Sequence, residues 1–215
     1  MNKDIFVLIA CEQSQTVCSA FRRLGFSAFS NDIENCYGGH PEWHILGDAR
    51  QAIQTKSEHT LESGLKLCID SWDLIIAHPP CTMLTHSSAV ALSQGKHTME
   101  DVYLGAQFFM AMLNAPCERV AVENPAPMKL AKLPKYDQII NPYQFGHPYS
   151  KRVCLWLKNL PPLLPTCYNP RHESWLLHCA GNSRRRSKTF EGIAQAMAEQ
   201  WGAQIVKEKS MRQTQ

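Results

Sequence analysis

Two hydrophobic rhythms alternate along this chain. Short runs rich in apolar residues at 5–10, 73–77, 118–122 and 153–157, with the mixed segment 27–31, predict strands, as in a parallel sheet. Between them, apolar residues recur every three or four positions. Val17, Ala20, Phe21 and Leu24 predict a helix that stops at Gly25. From Met99, the stripe Val102, Tyr103, Ala106, Phe109, Met110 and Leu113 predicts a second helix packed on the sheet, its apolar face in the core. After residue 122 the chain is irregular and proline-rich, and residues 160–183 carry no periodicity. Phe190, Ile193, Ala194, Met197, Ala198 and Trp201 then share one helix face, with a short strand expected at 203–206. Strand and helix in alternation predict an α/β fold with a central, mostly parallel sheet flanked by helices. No repeat or composition break divides the sequence, so residues 1–215 are expected to form a single domain.

Composition narrows the class. A chain of 215 residues with 44% hydrophobic content can bury a full core, and its net charge of +3 permits nucleic-acid binding without demanding it. Nine scattered cysteines suggest reduced thiols and a cytoplasmic setting. The apolar run 5–11 is too short to cross a bilayer and lacks the layout of a signal peptide, so no membrane association is expected. Cys167, His172, His178 and Cys179 lie close in sequence, but their intervals match no zinc pattern, and no metal is expected. His40, His44 and His86 are expected to be hydrogen-bonded polar residues, and His78 to line a pocket without a proton-transfer role.

The candidate chemistry lies where two strands end. The run Asp73-Leu74-Ile75-Ile76-Ala77 leads into His78-Pro79-Pro80-Cys81-Thr82, where two prolines stiffen the turn and can hold a thiol over a pocket. The run 118–122 leads into Glu123-Asn124-Pro125. In an open parallel sheet both tips face the crevice that binds ligands, and Asp32, just after the second strand, sits where a carboxylate accepts ribose hydroxyls. Arg184, Arg185, Arg186 and Lys188 form a compact cluster able to neutralise phosphates.

Pro79-Pro80-Cys81 followed by Glu123-Asn124-Pro125, each after an apolar run, resembles the catalytic core of the DNA cytosine-5 methyltransferases, most closely their short, phage-type members. The likeness extends from about residue 5 to residue 201. It implies a Rossmann-like methyltransferase fold, S-adenosylmethionine as cofactor, duplex DNA with a flipped cytosine as substrate, and a bacterial or phage-infected cytosol as the setting. In such a reaction Cys81 adds to C6 of cytosine so that C5 becomes nucleophilic, Glu123 holds N3 and the exocyclic amine, and Arg152 holds the base. The same resemblance puts Glu12, Asp48 and Pro79 with Asp32 at the cofactor, Asp48 against its adenine. Pro80, Thr82, Asn124, Lys151 and the three arginines fall to the substrate.

Two departures stand out. The first loop, Cys11-Glu12-Gln13-Ser14-Gln15, has no glycine, so close approach to the cofactor needs another backbone path, with free N–H groups at the helix start expected to meet its carboxylate. The interval 160–183 leaves no room for a large target-recognition domain, which implies a very short target, loose DNA modification, a partner subunit that supplies recognition, or a nucleotide substrate. Two other functions share these features. An amino-group methyltransferase acting on N4 of cytosine or N6 of adenine usually carries an aromatic residue where Cys81 stands. A nucleic-acid or nucleotide-binding protein could retain the fold with weak catalysis or none.

Overall fold

The apolar runs pair much as their spacing suggests. The computed structural model describes residues 2–179 and 182–213. In chain order its elements are β1 (Phe6–Ala10), α1 (Thr16–Arg23), β2 (Ser27–Asp32), β3 (His44–Leu46), α2 (Ala49–Ala52), the hairpin β4 (Ser57–Thr60) and β5 (Lys66–Ile69), and β6 (Leu74–Ala77). There follow α3 (His86–Ser93), α4 (Met99–Leu113), β7 (Val120–Asn124), β8 (Gln138–Ile140), β9 (Tyr149–Ser150), β10 (Val153–Lys158), β11 (Glu173–Ser174), α5 (Ser183–Ser187) and α6 (Glu191–Gln213). Seven strands form one sheet in the order β3-β2-β1-β6-β7-β10-β8, all parallel except β10. This is a Rossmann-like α/β fold.

Each central strand is buried on both sides, which explains its unbroken apolar sequence. Val7, Ile9, Leu74, Ile76 and Ala121 pack beneath α1 and α6 with Phe21, Met197 and Trp201. Leu8, Ala10, Ile75, Ala77, Val120 and Val122 point the other way, against Phe109 and Met112 of α4. Full burial of each large aliphatic side chain stabilises by roughly 1.5–3 kcal/mol, so this two-sided core dominates the fold. At the end where β6 and β7 begin, α6 is tied down by ion pairs from Arg119 to Glu208, Lys209 to Asp73 (2.8 Å) and Arg212 to Glu118 (2.8 Å). The opposite ends of the strands are left for the site.

The helix face from Phe190 to Trp201 is buried as expected, but residues 203–206 continue α6 and do not form a strand. Ile205 falls one turn beyond Trp201 and is equally buried, so the helical stripe outweighs the local β-like composition. In α4 the buried stripe is Val102, Phe109 and Met112, and Tyr103 is exposed. β3 and the β4–β5 hairpin had no counterpart among the expected strands.

Gly192 in α6 shows how tightly that helix is seated. A Cβ added there would lie 2.0 Å from the backbone oxygen of Phe145, which cannot rotate away. Gly192→Ala is expected to destabilise the protein by about 2 kcal/mol or more, read as a lower urea midpoint at unchanged slope. An unchanged midpoint would mean that α6 does not approach Phe145 this closely.

Candidate active site

The chain runs outward along β1, β2 and β3, then returns to place β6 on the other side of β1. A crevice opens at such a reversal, outside the strands' carboxyl ends. It lies between Cys11–Gln15, after β1, and His78–Cys81, after β6; the His78 N–H donates to the Ala10 carbonyl at 2.9 Å and joins the two turns. Pro79 is buried and Pro80 exposed, while the buried Asn124 donates from Nδ2 to the Pro79 carbonyl at 2.7 Å. Asn124 thus fastens the proline turn to the end of β7. The Cys81 carbonyl accepts from the N–H of Leu84 (3.0 Å) and Thr85 (3.2 Å), which fixes the turn leading to α3.

Glu123 lies in β7 itself, because β10 pairs antiparallel along the strand's full length, with Leu155 opposite Glu123 and Cys154 opposite Asn124. Its Oε2 is 3.1 Å from His78 Nδ1, and the two side chains are 15% and 10% exposed. Burial pushes the Glu123 carboxyl up, but the His78 hydrogen bond and the Lys151 charge outweigh it and hold the group below the usual carboxylate range. Burial and the Glu123 charge raise the Cys81 thiol, opposed by Lys151 and Arg186. Cys81, Glu123, His78 and Lys151 therefore share one electrostatic site.

The adjacent residues Lys151 and Arg152 separate across the sheet. On extended backbone successive side chains alternate faces. Along β10, Val153 and Leu155 point to the α1/α6 face and Cys154 and Trp156 to the α4 face. Lys151 keeps the parity of Val153, acts on Cys81 and Glu123, and donates from Nζ to the Arg186 carbonyl at 2.9 Å. Arg152 keeps the parity of Cys154. It is exposed and lines a separate groove with His86, Met128, Lys129, Lys135 and Tyr136. The cations acting on the thiol are Lys151 and Arg186, while Arg152, expected to hold the base, acts on Cys154 and lines the other groove.

The glycine-free loop solves its backbone problem in an unexpected way. Cys11 and Gln15 both take left-handed conformations, with φ of 61° and 56°, where glycine is the usual choice. Gln15 is fully buried, and its amide donates to the His40 carbonyl (2.8 Å) and Ser30 Oγ (3.1 Å) while accepting from the His40 N–H (3.0 Å). Those bonds offset the strain of the loop. The N–H groups at the start of α1 are not free, contrary to expectation: the buried Glu12 carboxylate accepts from Val17 (2.7 Å) and Cys18 (3.1 Å). A carboxylate from within the chain already occupies the place expected for the cofactor's own. Burial raises the Glu12 carboxyl, partly offset by His78 and these N–H groups.

Asp32 and Asp48 both act electrostatically on Cys11 at the tip of β1, raising its thiol further after burial. Asp32 is half-buried, and burial raises its carboxyl despite the hydrogen bond from the Glu34 N–H (3.1 Å). Asp48 caps α2, accepting from the Arg50 N–H at 2.8 Å, and pairs with the Arg50 guanidinium at 2.6 Å. Arg184 of α5 lies over the Tyr37 ring at 5.9 Å and Arg186 acts on Cys81, whereas Arg185 lies over Trp175 at 5.2 Å. Arg184 and Arg186 are thus linked to residues of the crevice, and the exposed Thr82 follows Cys81. Among the described residues no group of three or more His, Cys, Asp or Glu side chains converges to hold a metal ion. Sequence reasoning gave Tyr37 no role, and it placed His78 in a pocket without its contact to Glu123.

No family model matches the chain, and no curated protein matches it. Solved structures to which it is similar include a prophage-encoded E. coli protein described as a DNA modification methyltransferase, at 15% identity over 78% of this chain and 53% of that one, with a TM-score of 0.47. Another is the Entamoeba histolytica methyltransferase EhMeth, at 14% identity over 79% of this chain and 57% of that one, with a TM-score of 0.40. The chain spans a little over half the length of these proteins.

Proposed function

We propose that this protein is an S-adenosylmethionine-dependent methyltransferase that modifies C5 of cytosine in DNA through a covalent adduct between Cys81 and C6. The observation that carries this reading is the meeting of Cys81 and Glu123 at neighbouring strand tips, with the Lys151 charge acting on both. A nucleophile beside a carboxylate and a fixed cation suits addition to a ring whose developing charge must be held. The Cys81 S–H bond breaks, its proton passing to water as the base enters, and Sγ bonds to C6 while the C5=C6 electron pair moves to C5. Glu123 binds the N3 and amine edge and steadies the ring as electron density moves to C5. Once C5 bears the methyl group, its proton passes to water, the C5–H electron pair re-forms the C5=C6 bond, the C6–Sγ bond breaks and the thiolate is restored.

The cofactor, when bound, supplies an electrophilic methyl group on sulfur. Its site fits the crevice beyond β1 and β2, where the left-handed turn at Cys11 brings backbone close and the half-buried Asp32 offers a carboxylate to ribose hydroxyls. Asp48, engaged with Arg50, would border the adenine, and Pro79 and Glu12 would close the side toward Cys81. Asp32→Ala is expected to weaken cofactor binding about 10- to 100-fold by titration calorimetry, the loss of hydrogen bonds to a charged group. An unchanged dissociation constant would remove Asp32 from the ribose site.

Arg184, Arg185 and Arg186 would neutralise phosphates next to the flipped base, and the chain would act on duplex DNA as a single catalytic domain, with target recognition short or lent by a partner. The test is transfer of labelled methyl from S-adenosylmethionine to unmethylated duplex DNA, followed by nucleoside analysis. 5-Methylcytosine supports the reading. Methyl on an exocyclic amine, or cofactor binding without any transfer, opposes it.

A further inference from the structure

His78 is built differently from the other buried histidine that supports the sheet. His44 has both ring nitrogens engaged, Nδ1 with Ser30 Oγ at 2.9 Å and Nε2 with the Glu34 carbonyl at 3.0 Å. His78 meets Glu123 Oε2 through Nδ1 at 3.1 Å, but its Nε2 is buried and has no hydrogen-bond partner among the described residues. An unmatched buried polar atom is costly, so the arrangement calls for a reason. Glu123 in β7 and Glu12 after β1 both feel the His78 charge. Lys151 and Cys81 act on Glu123 or are acted on by it. A proton can leave or join Nδ1 without breaking a hydrogen bond from Nε2 to a described residue.

The proposed reaction needs such a group. Addition of Sγ to C6 places negative charge on the ring, and a proton at N3 neutralises it. Glu123, held below the usual carboxylate range, is ionised near neutral pH and brings no proton of its own. Histidine is the side chain that exchanges protons in that range.

We infer that His78 is the proton store of the base pocket: it carries a proton on Nδ1 and passes it through Glu123 Oε2 to cytosine N3 as the thiolate adds. In the forward step the Nδ1–H bond breaks and Oε2–H forms, then Oε2–H breaks and N3–H forms. The imidazolium becomes neutral, Glu123 ends as it began, and the ring gains one proton to match the electron pair that Sγ brings. The proton returns by the same route when the C6–Sγ bond breaks. His78 is thus a positioning residue, acting on the substrate only through Glu123, and its role in turnover rests on the cytosine reading above.

Two measurements test it. In the cofactor-free wild-type protein, nitrogen NMR of the His78 ring and carbon NMR of the Glu123 carboxyl are expected to change together with pH, and the shared step disappears from the Glu123 signal in His78→Gln. Independent titrations of the two groups, or an unaltered Glu123 curve in the variant, overturn the store whatever the enzyme methylates. In methyl transfer, His78→Gln keeps a donor to Glu123 but no exchangeable charge. Its kcat is expected to fall about 10²- to 10³-fold at neutral pH and to recover as pH is lowered, with KM for DNA nearly unchanged. Wild-type kcat in this variant would reduce His78 to an orienting contact. If wild-type protein shows the shared titration yet transfers no methyl to cytosine, the cytosine reading fails and the proton pair stands.

Discussion

Cys81→Ser protein is expected to lose methyl transfer by at least about 10⁴-fold while binding S-adenosylmethionine within about twofold of wild type. The hydroxyl is a far weaker nucleophile than a thiolate, and no second thiol shares the turn. Cys11, also at the crevice, follows β1 directly, with its thiol pushed up to about 12 by burial, Asp32 and Asp48. The Cys81 thiol is itself raised, first by burial and then by Glu123. It is therefore protonated at neutral pH in the resting protein, and alkylation by iodoacetamide is expected to accelerate as pH rises through the alkaline range. Residual transfer at wild-type rates in Cys81→Ser would take the thiol out of the reaction. A matching loss of cofactor affinity would mean that the proline turn supports the cofactor pocket instead.

Lys151→Met is expected to lower kcat about 10²-fold, and Arg152→Met to leave it within about threefold. Two adjacent cations seldom differ so much. The difference comes from the pleat: Lys151 faces Cys81 and Glu123, and Arg152 lines the groove on the other side of the sheet. Removing the Lys151 charge also releases the Arg186 carbonyl, so Lys151→Arg separates charge from tether. Partial recovery in Lys151→Arg supports an electrostatic role. Equal losses in Lys151→Met and Arg152→Met would contradict the alternation of the two side chains.

Much of this arrangement was legible in the sequence. The unbroken apolar runs gave the central strands because a strand buried on both faces has no polar side to interrupt it. The prolines before Cys81 and after Asn124 marked both strand tips. The short β3 and the β4–β5 hairpin were not legible, since their few residues carry no periodicity that separates them from loop. The strand expected at 203–206 was a misreading of four residues whose helical partners lie upstream, at Met197 and Trp201.

At the site, the choice between Lys151 and Arg152 was open to a parity count from Val153, had the extended backbone been carried two residues back. The capping of α1 by Glu12 had no such signal, because it depends on how the loop folds. Nor did the approach of His78 to Glu123, which are 45 residues apart in sequence and meet only because β6 and β7 are neighbours. The left-handed turns at Cys11 and Gln15 break the rule that such positions go to glycine. Their support, a buried glutamine bridging to His40 and Ser30, is a tertiary feature.

The most direct measurement is to incubate the protein and S-adenosylmethionine with duplex DNA containing 5-fluorocytosine, whose C5 fluorine cannot leave as a proton does, and to map any protein–DNA crosslink by peptide mass spectrometry. A stable adduct on Cys81 carrying a methylated, fluorinated base is the expected result. Methyl transfer to DNA with no covalent complex, or a crosslink on another residue, would contradict a Cys81–C6 adduct as the route to the product.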